Sequence, residues 1–542
     1  MKEKLYLFFI IFPALYAFSQ NTVGVKTNNQ ESYNGYTLFS PNTSTETYLI
    51  NNCGERVHQW TSTFFPAASE YLLENGNLLR TGKITNPDIT FGGVGGKIEL
   101  FDWDSNLLWE YTYSSSQVTQ HHDIYPLPNG NVLMLAVSTM TSAEALAAGR
   151  DPSLILEGKI FNEQILELQP ILGTNTANIV WEWNVKDHLV QDFDITKANY
   201  GVISDHPERL DFNFLNNNNG YANWLHFNSI QYNEELDQII LSSRILSELY
   251  IIDHSTTTAE AATSSGGIYG KGGDFLYRWG NPISYDIGDA TDQKLFSQHH
   301  PHWIPNGLND AGKIMVFNNG NSIRHSTVDI LNPPVSAPGV YIYDAVNGYG
   351  PSAYDWTYID PVDPANFFSS ILSSAQRLPN GNTLICDGDS GYFFEIDQTN
   401  TIVWEYVNPD SANGILSQGN APSANLVFRA IRFPIDFIAF DGRDLTATIP
   451  IETNPDLSNC TILSVSDNIF AEVTIYPNPT SSIINITSQE SITKIDLYSM
   501  LGKKVLSIQN ANQIDLSNLA KGIYLAQIYS NHKVISKKII KQ

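Results

Sequence analysis

The run RLPNGNTLICDGDSGYFFEIDQTNTIVWEYVNP, Arg377 to Pro409, carries one complete structural unit without interruption. Asn380-Gly381-Asn382 stands between two apolar segments. Asn-Gly is the strongest short hairpin signal, because both residues tolerate positive φ. The flanking segments therefore read as paired strands. Ile402 to Tyr406, IVWEY, reads as a further strand centred on a tryptophan.

The same two segments recur outward from that run. SEYLLENGNLLRTGK from Ser69 is followed by KIELFDWDSNLLWEYTY from Lys97. LPNGNVLMLA at Leu127 is followed by ANIVWEWNV at Ala177, and SIQYNEELDQIILSSR at Ser229 by DFLYRWGNP at Asp274. WIPNGLNDAGKIMVFNNG at Trp303 is followed by YDWTYIDP at Tyr354, and a weaker copy is FRAIRFPIDFIAF from Phe428. Such recurrence means stacked or radial β-units, not independent domains. Six copies of about four strands each suit a closed ring, so an all-β, six-bladed β-propeller is expected over residues 20–456. Gly35 to Trp60 is expected to supply the missing strands of the last blade. Insertions fall at Ala143–Glu157 and Asp187–Asn223; the second, rich in Asn and Asp, is expected to cap one face.

Composition agrees with strands. Aromatic residues make up 12% of the 542 and hydrophobic residues 42%, enough for a large core. The formal charge of −26 argues against a nucleic-acid partner, whose phosphates it would repel, and fits a solvated acidic surface. At the N-terminus Lys2 and Lys4 precede LYLFFIIFPALYAF and then the small residues Ala17 and Ser19. That order describes a secretory signal peptide, residues 1–19, cut after Ser19. No later stretch is long and apolar enough to span a bilayer.

An oxidising compartment gives the three cysteines meaning. Cys386, in the strand pattern TLICDG, is expected to be a buried free thiol. Cys53 and Cys460 lie near the two ends of the repeat region, which a ring brings together, so a bridge between them is plausible.

The composition shifts after Asp456. Residues 457–470 read as a linker. Residues 471–542 alternate short strands and read as a small β-sandwich. From Glu472 onward there are 8 Lys against 4 Asp and Glu, in an otherwise acidic chain. This segment resembles the C-terminal sorting domain of the type IX secretion system of Bacteroidetes. The matching features are Tyr476-Pro477-Asn478-Pro479, the turn Leu497-Tyr498-Ser499-Met500-Leu501-Gly502, Leu519 to Tyr524, and the basic end Lys537 to Lys541. The resemblance implies the type IX machinery as a partner, export across the outer membrane, and release or surface attachment.

Histidines mark the candidate site. FSQHHPHWIPNG, Phe296 to Gly307, crowds His299, His300 and His302 before a turn, in a chain with 12 histidines. HHDIYPLPNGN begins at His121, and LHFNSIQY at Leu225. Each cluster precedes a turn, on what should be the innermost strand of its unit. Aligning the turns at Ile304 and Leu127 places His299 over His122, with Ser373 in that position in the fifth copy. Equivalent residues around a ring face one channel, so His122, His226 and His299 are expected to converge. Three readings stay open on the residues alone. The histidines could be structural, satisfied within a polar channel. They could hold zinc or copper, with Asp123 near. They could supply a neutral imidazole nucleophile with others as proton and charge donors.

The region from about Gly35 to Glu452 resembles the bacterial arylsulfotransferases, which are six-bladed propellers. The resemblance rests on Trp224 to Ile230, on Ser242-Ser243-Arg244, on Ser297-Gln298-His299 and on Phe317-Asn318-Asn319-Gly320. Asn382 to Gly388 and Ile402 to Tyr406 add to it. It implies transfer of a sulfuryl group from an aryl sulfate to a phenolic acceptor through a sulfated histidine, which matches His299. By the same resemblance His226, Asn228, Arg244 and His122 are site residues. His300 and His302 depart from the family pattern, and either could be mistaken for the nucleophile or ligate a metal.

Sulfuryl transfer, like phosphoryl transfer, spreads charge over peripheral oxygens, which Arg244, His226 and Asn228 could stabilise. A departing phenolate gains from a proton supplied by His122 or His226. No phosphate-cradling glycine loop occurs, so a nucleotide donor is not expected, and no cofactor is implied. The rival readings are a non-catalytic surface-binding propeller and a metal-dependent hydrolase or lyase. Arg244 lies in IILSSRIL, which reads as an apolar strand, so its side chain should enter a polar channel; a salt bridge with Glu248 is the plainer alternative.

Overall fold

The computed structural model describes residues 21–460 apart from 217, and 473–542 apart from 489–490, 500–503 and 531–532. The expected signal peptide, residues 1–19, and most of the expected linker, residues 457–470, lie outside the described residues. The chain divides between Cys460 and Thr461 into two compact units.

The described part of the first unit is built from six antiparallel sheets of four or five strands, with four small two-stranded sheets beside them. The first sheet joins Val427–Pro434 to Gly35–Pro41, Glu46–Ile50 and Arg56–Thr61, so strands from both ends of the repeat region share one sheet. The second runs Pro66–Leu72, Leu78–Lys83, Gly96–Phe101 and Leu107–Thr112. The third runs Val118–Pro126, Val132–Thr141, Lys159–Ile171 and Thr176–Asn184. The fourth runs Phe227–Asn233, Gln238–Ser243, Glu248–Asp253 and Tyr277–Trp279. The fifth runs His299–Trp303, Ile314–Asn318, Thr327–Leu331 and Trp356–Tyr358. The sixth runs Ser374–Arg377, Thr383–Asp387, Tyr392–Ile396 and Ile402–Val407, and adds Gly24–Asn28 at its edge.

Two local devices repeat and explain the pattern. In the Asn-Gly-Asn turns the first asparagine accepts from the backbone N–H of the second: Asn75 from Asn77 at 3.0 Å, Asn129 from Asn131 at 2.9 Å, Asn380 from Asn382 at 3.1 Å. The glycine between them takes φ of +84° to +89°, which a side chain resists. The fourth strand of each of these six sheets carries a tryptophan. Five of these donate the indole N–H to a carbonyl of the following sheet: Trp60 to Asp102, Trp109 to Thr176, Trp183 to Gly273, Trp279 to Pro351 and Trp404 to Asn52. The last of these runs from the sixth sheet back to the first. Trp356 instead lies under the Arg377 guanidinium, 4.9 Å from its ring. A buried aromatic with a satisfied N–H both fills and orients each contact between sheets. The core sits there too: Leu79, Ile98, Leu100 and Trp109 of the second sheet pack on Ile124, Val132, Met134 and Leu166 of the third. First strands of neighbouring sheets pack together, and Ser374–Arg377 packs on Val427–Pro434.

Cys53 and Cys460 form a disulfide, with Cα atoms 5.2 Å apart, while Cys386 is free and buried. Among the described residues no helix is long and apolar enough to cross a membrane. The second unit stacks a sheet of Thr474–Tyr476, Ile483–Thr487 and Gln513–Asp515 on one of Lys504–Gln509, Lys494–Ser499, Gly522–Ser530 and Lys533–Lys541. Its core includes Ile484, Ile486, Ile495, Leu497, Ile514, Ala526 and Ile528.

Candidate active site

His299 opens the first strand of the fifth sheet, paired with Phe317, and its side chain is 2% exposed. Its Nδ1 lies 2.6 Å from Asn319 Oδ1. The Asn319 amide nitrogen donates to the carbonyls of Ser369 and Leu372, at 2.9 and 3.1 Å, which fixes the oxygen towards the imidazole. His299 must therefore donate from Nδ1, and its Nε2 carries a lone pair. Burial and the nearby Arg244 guanidinium hold its pKa at about 3, so the ring is neutral at physiological pH. A neutral imidazole with one nitrogen tied and the other free is the nucleophilic form.

The residue before it sets that position. Gln298 is fully buried and donates to Ser242 Oγ, Ser243 O and Glu248 O, at 3.0, 3.1 and 2.8 Å. Asn228, also fully buried, donates its amide to Gln298 O at 2.8 Å. The fourth sheet thus grips the backbone beside His299.

Arg244 falls in the turn after Gln238–Ser243, not in a strand as IILSSRIL suggests, because Ser243 Oγ turns to the Leu225 carbonyl at 2.8 Å. The Arg244 N–H donates to His226 O at 3.2 Å, which sets the arginine beside that histidine. The alternative pair with Glu248 does not form, since Glu248 receives Arg278 at 2.9 Å from Nε and Ser284 at 2.7 Å. Arg244 has neither a side-chain hydrogen bond nor an ion pair among the described residues, and burial lowers its pKa. Its charge reaches His122, His226 and His299, lowering the pKa of each after burial has done so.

His226 accepts from Asn223 Nδ2 at Nδ1, 2.7 Å away, so the neutral ring carries its hydrogen on Nε2. Asn223 ends the Asp187–Asn223 insertion, which thereby reaches the site. The His122 ring lies 4.6 Å from that of His226, edge to face. Gly93, at φ +84°, passes against the His122 ring, where any Cβ would collide with it, and Gly93 O accepts from the His122 N–H at 2.7 Å. Two residues earlier, partly exposed Phe91 stands 5.8 Å from the His226 ring and 6.4 Å from that of His122. The structure thus brings His122, His226, His299 and Arg244 together and puts Asn228 behind them.

His300 and His302 are stacked 4.5 Å apart and turned elsewhere, towards Arg429. Burial is the main cause of their lowered pKa values, with that of His302 near 4. Asp123 is engaged by Arg429 at 2.7 Å and by the Ile230 N–H at 3.1 Å. Among the described residues no three His, Cys, Asp or Glu side chains are grouped to hold a metal ion.

The arylsulfotransferase (ASST) family profile matches residues 25–427. The chain belongs to the arylsulfotransferase family. Residues 474–542 match the secretion system C-terminal sorting domain, so the protein is exported to the cell surface or beyond it. No functionally curated protein matches the chain. Similar solved structures include a protein of unknown function from Bacteroides caccae, 11% identical, covering 69% of this chain and 93% of its own, at a TM-score of 0.36. The periplasmic gluconolactonase of Pseudomonas aeruginosa is 8% identical over 74% of this chain and 99% of its own, at a TM-score of 0.35.

Three groups at the site escape the sequence reading. Asn319 stands within the motif Phe317 to Gly320 that carries the resemblance, and its place before Gly320 was the available signal. His121 precedes an assigned histidine, but regular strand alternation would send it to the opposite face, whereas its Nδ1 lies 3.0 Å from that of His122. Glu163 lies inside Lys159–Ile171 with no cue at all; its carboxylate meets His121 Nε2 at 2.9 Å and the Phe227 N–H at 2.9 Å.

Proposed function

We propose that this chain is an exported aryl-sulfate sulfotransferase working through sulfated His299. Its catalytic body is a six-bladed β-propeller over residues 20–456, and residues 471–542 address it to type IX export after a signal peptide ending at Ser19. The observation that carries the reading is the tied Nδ1–H and free Nε2 of His299 beside an arginine that has no ion pair among the described residues.

In the first half-reaction the Nε2 lone pair attacks sulfur, an N–S bond forms, and the S–O bond to the aryl oxygen breaks. Arg244 and the His226 Nε2–H meet the three sulfuryl oxygens, where charge concentrates in a loose transition state. Asn228 holds the nucleophile's strand through Gln298. The departing phenolate takes a proton from His122. In the second half a phenolic acceptor returns that proton, its oxygen attacks sulfur, and the N–S bond breaks. Phe91 offers an apolar face to the aryl rings.

The test is release of 4-nitrophenol from 4-nitrophenyl sulfate with phenol as acceptor, then peptide mapping of protein quenched without acceptor. Acceptor-dependent release and a sulfated His299 are expected. Sulfation at His300 or another histidine would overturn the assignment, and absence of transfer would overturn the activity.

A further inference from the structure

Glu163, His121 and His122 form a chain of hydrogen bonds that leads away from the site. Glu163 Oε2 meets His121 Nε2 at 2.9 Å, and His121 Nδ1 meets His122 Nδ1 at 3.0 Å. All three are buried, with His121 at 0% exposure, His122 at 3% and Glu163 at 1%. The other carboxylate oxygen is pinned by the Phe227 N–H at 2.9 Å, next to His226. We propose that Glu163 and His121 are positioning residues that make His122 the proton exchanger for the phenol oxygen. This rests on the sulfotransferase reading above.

Glu163 accepts the His121 Nε2–H. Two ring nitrogens 3.0 Å apart must share one hydrogen between them. When the histidine pair is neutral, that hydrogen belongs to His122 Nδ1, and His122 Nε2 is a lone pair facing the site. When the pair holds one more proton, His122 Nε2 carries it, and the shared hydrogen belongs to His121 Nδ1. The positive charge then sits on His121 against the Glu163 carboxylate, not on His122. That displacement matters because His122 is a poor place for charge. Burial, His226, His121, His299 and Arg244 all oppose its protonation. A carboxylate hydrogen-bonded to His121 gives the charge a better place one ring away.

The relay balances across both half-reactions. It starts protonated. As the aryl S–O bond breaks, His122 Nε2–H passes to the phenolate oxygen and the shared hydrogen moves from His121 Nδ1 to His122 Nδ1. As the acceptor's O–H breaks, His122 Nε2 takes that proton and the shared hydrogen returns. No other acid or base is required.

The discriminating experiment is Glu163→Gln, which keeps a hydrogen-bonding side chain of the same size and removes the charge. Wild type and variant are assayed with 4-nitrophenyl sulfate and with phenyl sulfate, using one acceptor throughout. The 4-nitrophenolate ion leaves with little help, whereas an ordinary phenol, with a pKa of about 10, needs the proton. Loss of acid catalysis is worth about 10²-fold or more. The fall in kcat/KM with phenyl sulfate should therefore exceed the fall with 4-nitrophenyl sulfate by about tenfold or more. The comparison is a ratio within one sample, so it does not depend on how much of the variant folds. Equal falls with both donors would overturn the relay while the sulfotransferase stands. A wild type that transfers from neither donor would overturn both.

Discussion

Arg244 separates activity from stability in a way the structure makes specific. Its guanidinium is partly buried and finds no hydrogen bond or ion pair among the described residues, because Glu248 belongs to Arg278 and Ser284. A desolvated, unpaired charge is a cost to the fold, not a support. Arg244→Met fills similar space without that cost. Its thermal midpoint should equal or exceed that of wild type. Turnover should fall by about 10²- to 10³-fold, the loss of one preorganised transition-state donor, equivalent to about 3–4 kcal/mol. Arg244→Lys keeps the charge and loses the planar fork, so it should fall between the two. A third readout follows from the same charge. Arg244 lowers the pKa of His122, His226 and His299, so its removal should move the acid limb of the pH–rate profile to higher pH. The assay is aryl sulfate turnover and thermal melting on the same Arg244→Met sample. A protein that melts well below wild type while its folded fraction turns over normally would refute the reasoning and make Arg244 structural.

Other outcomes follow from neighbouring contacts. Asn319→Ala leaves the His299 Nδ1–H without its side-chain acceptor, so kcat should drop by about tenfold or more with little change in KM; unchanged kcat would remove Asn319 from the site. Cys53→Ser should cost about 2–4 kcal/mol in denaturant unfolding, and wild type in reductant should lose the same amount; a wild type indifferent to reductant would count against the bridge. Five buried histidines, His122, His226, His299, His300 and His302, have folded pKa values below the ordinary 6.5. Below that value the unfolded chain binds more protons, so each contributes up to about 1.4 kcal/mol of destabilisation per pH unit until its folded pKa is reached. That limit is about 4 for His302 and about 3 for His299, so urea midpoints should fall steeply between pH 6.5 and 4; a flat profile would mean these rings are not buried neutral.

Much of this was written in the chain. Asn380-Gly381-Asn382 and its copies announce hairpins, because a glycine between two asparagines suits a turn that needs φ near +89°. The tryptophan of each fourth strand is equally plain, since an indole with an N–H to place marks a packed boundary. Cys53 and Cys460 are paired by ring logic across 407 residues. Arg244 misleads because Ile239 to Leu246 reads as one apolar strand. The turn is accompanied by a serine hydroxyl bonding to the Leu225 carbonyl, just ahead of the neighbouring strand, a tertiary contact that leaves no periodic trace. Glu163 is silent for a similar reason. In NEQILELQ it looks like the polar phase of an alternating strand, and only the position of the neighbouring sheet makes it a buried carboxylate.

His121 is the instructive case. In a regular strand His121 and His122 would point to opposite faces of the sheet. Here the pairing of Val118–Pro126 with Val132–Thr141 slips between Met134 and Ala136, and His122 takes φ +47°. A left-handed conformation costs a non-glycine residue about 1–2 kcal/mol. His226 at +54°, His300 at +52° and Ser373 at +91° bear the same strain at or beside the entry to their own first strands. Bulges that re-aim side chains collect at functional sites, and backbone strain persists only where the surroundings over-determine it. At His122 the strain has a visible product. Two sequence neighbours turn their Nδ1 atoms to 3.0 Å from each other, and a carboxylate from another strand is linked through His121 to His122, whose pKa Arg244 lowers. A period-2 reading of HHDIYP cannot yield that contact, because the irregularity that creates it is the feature such a reading averages away.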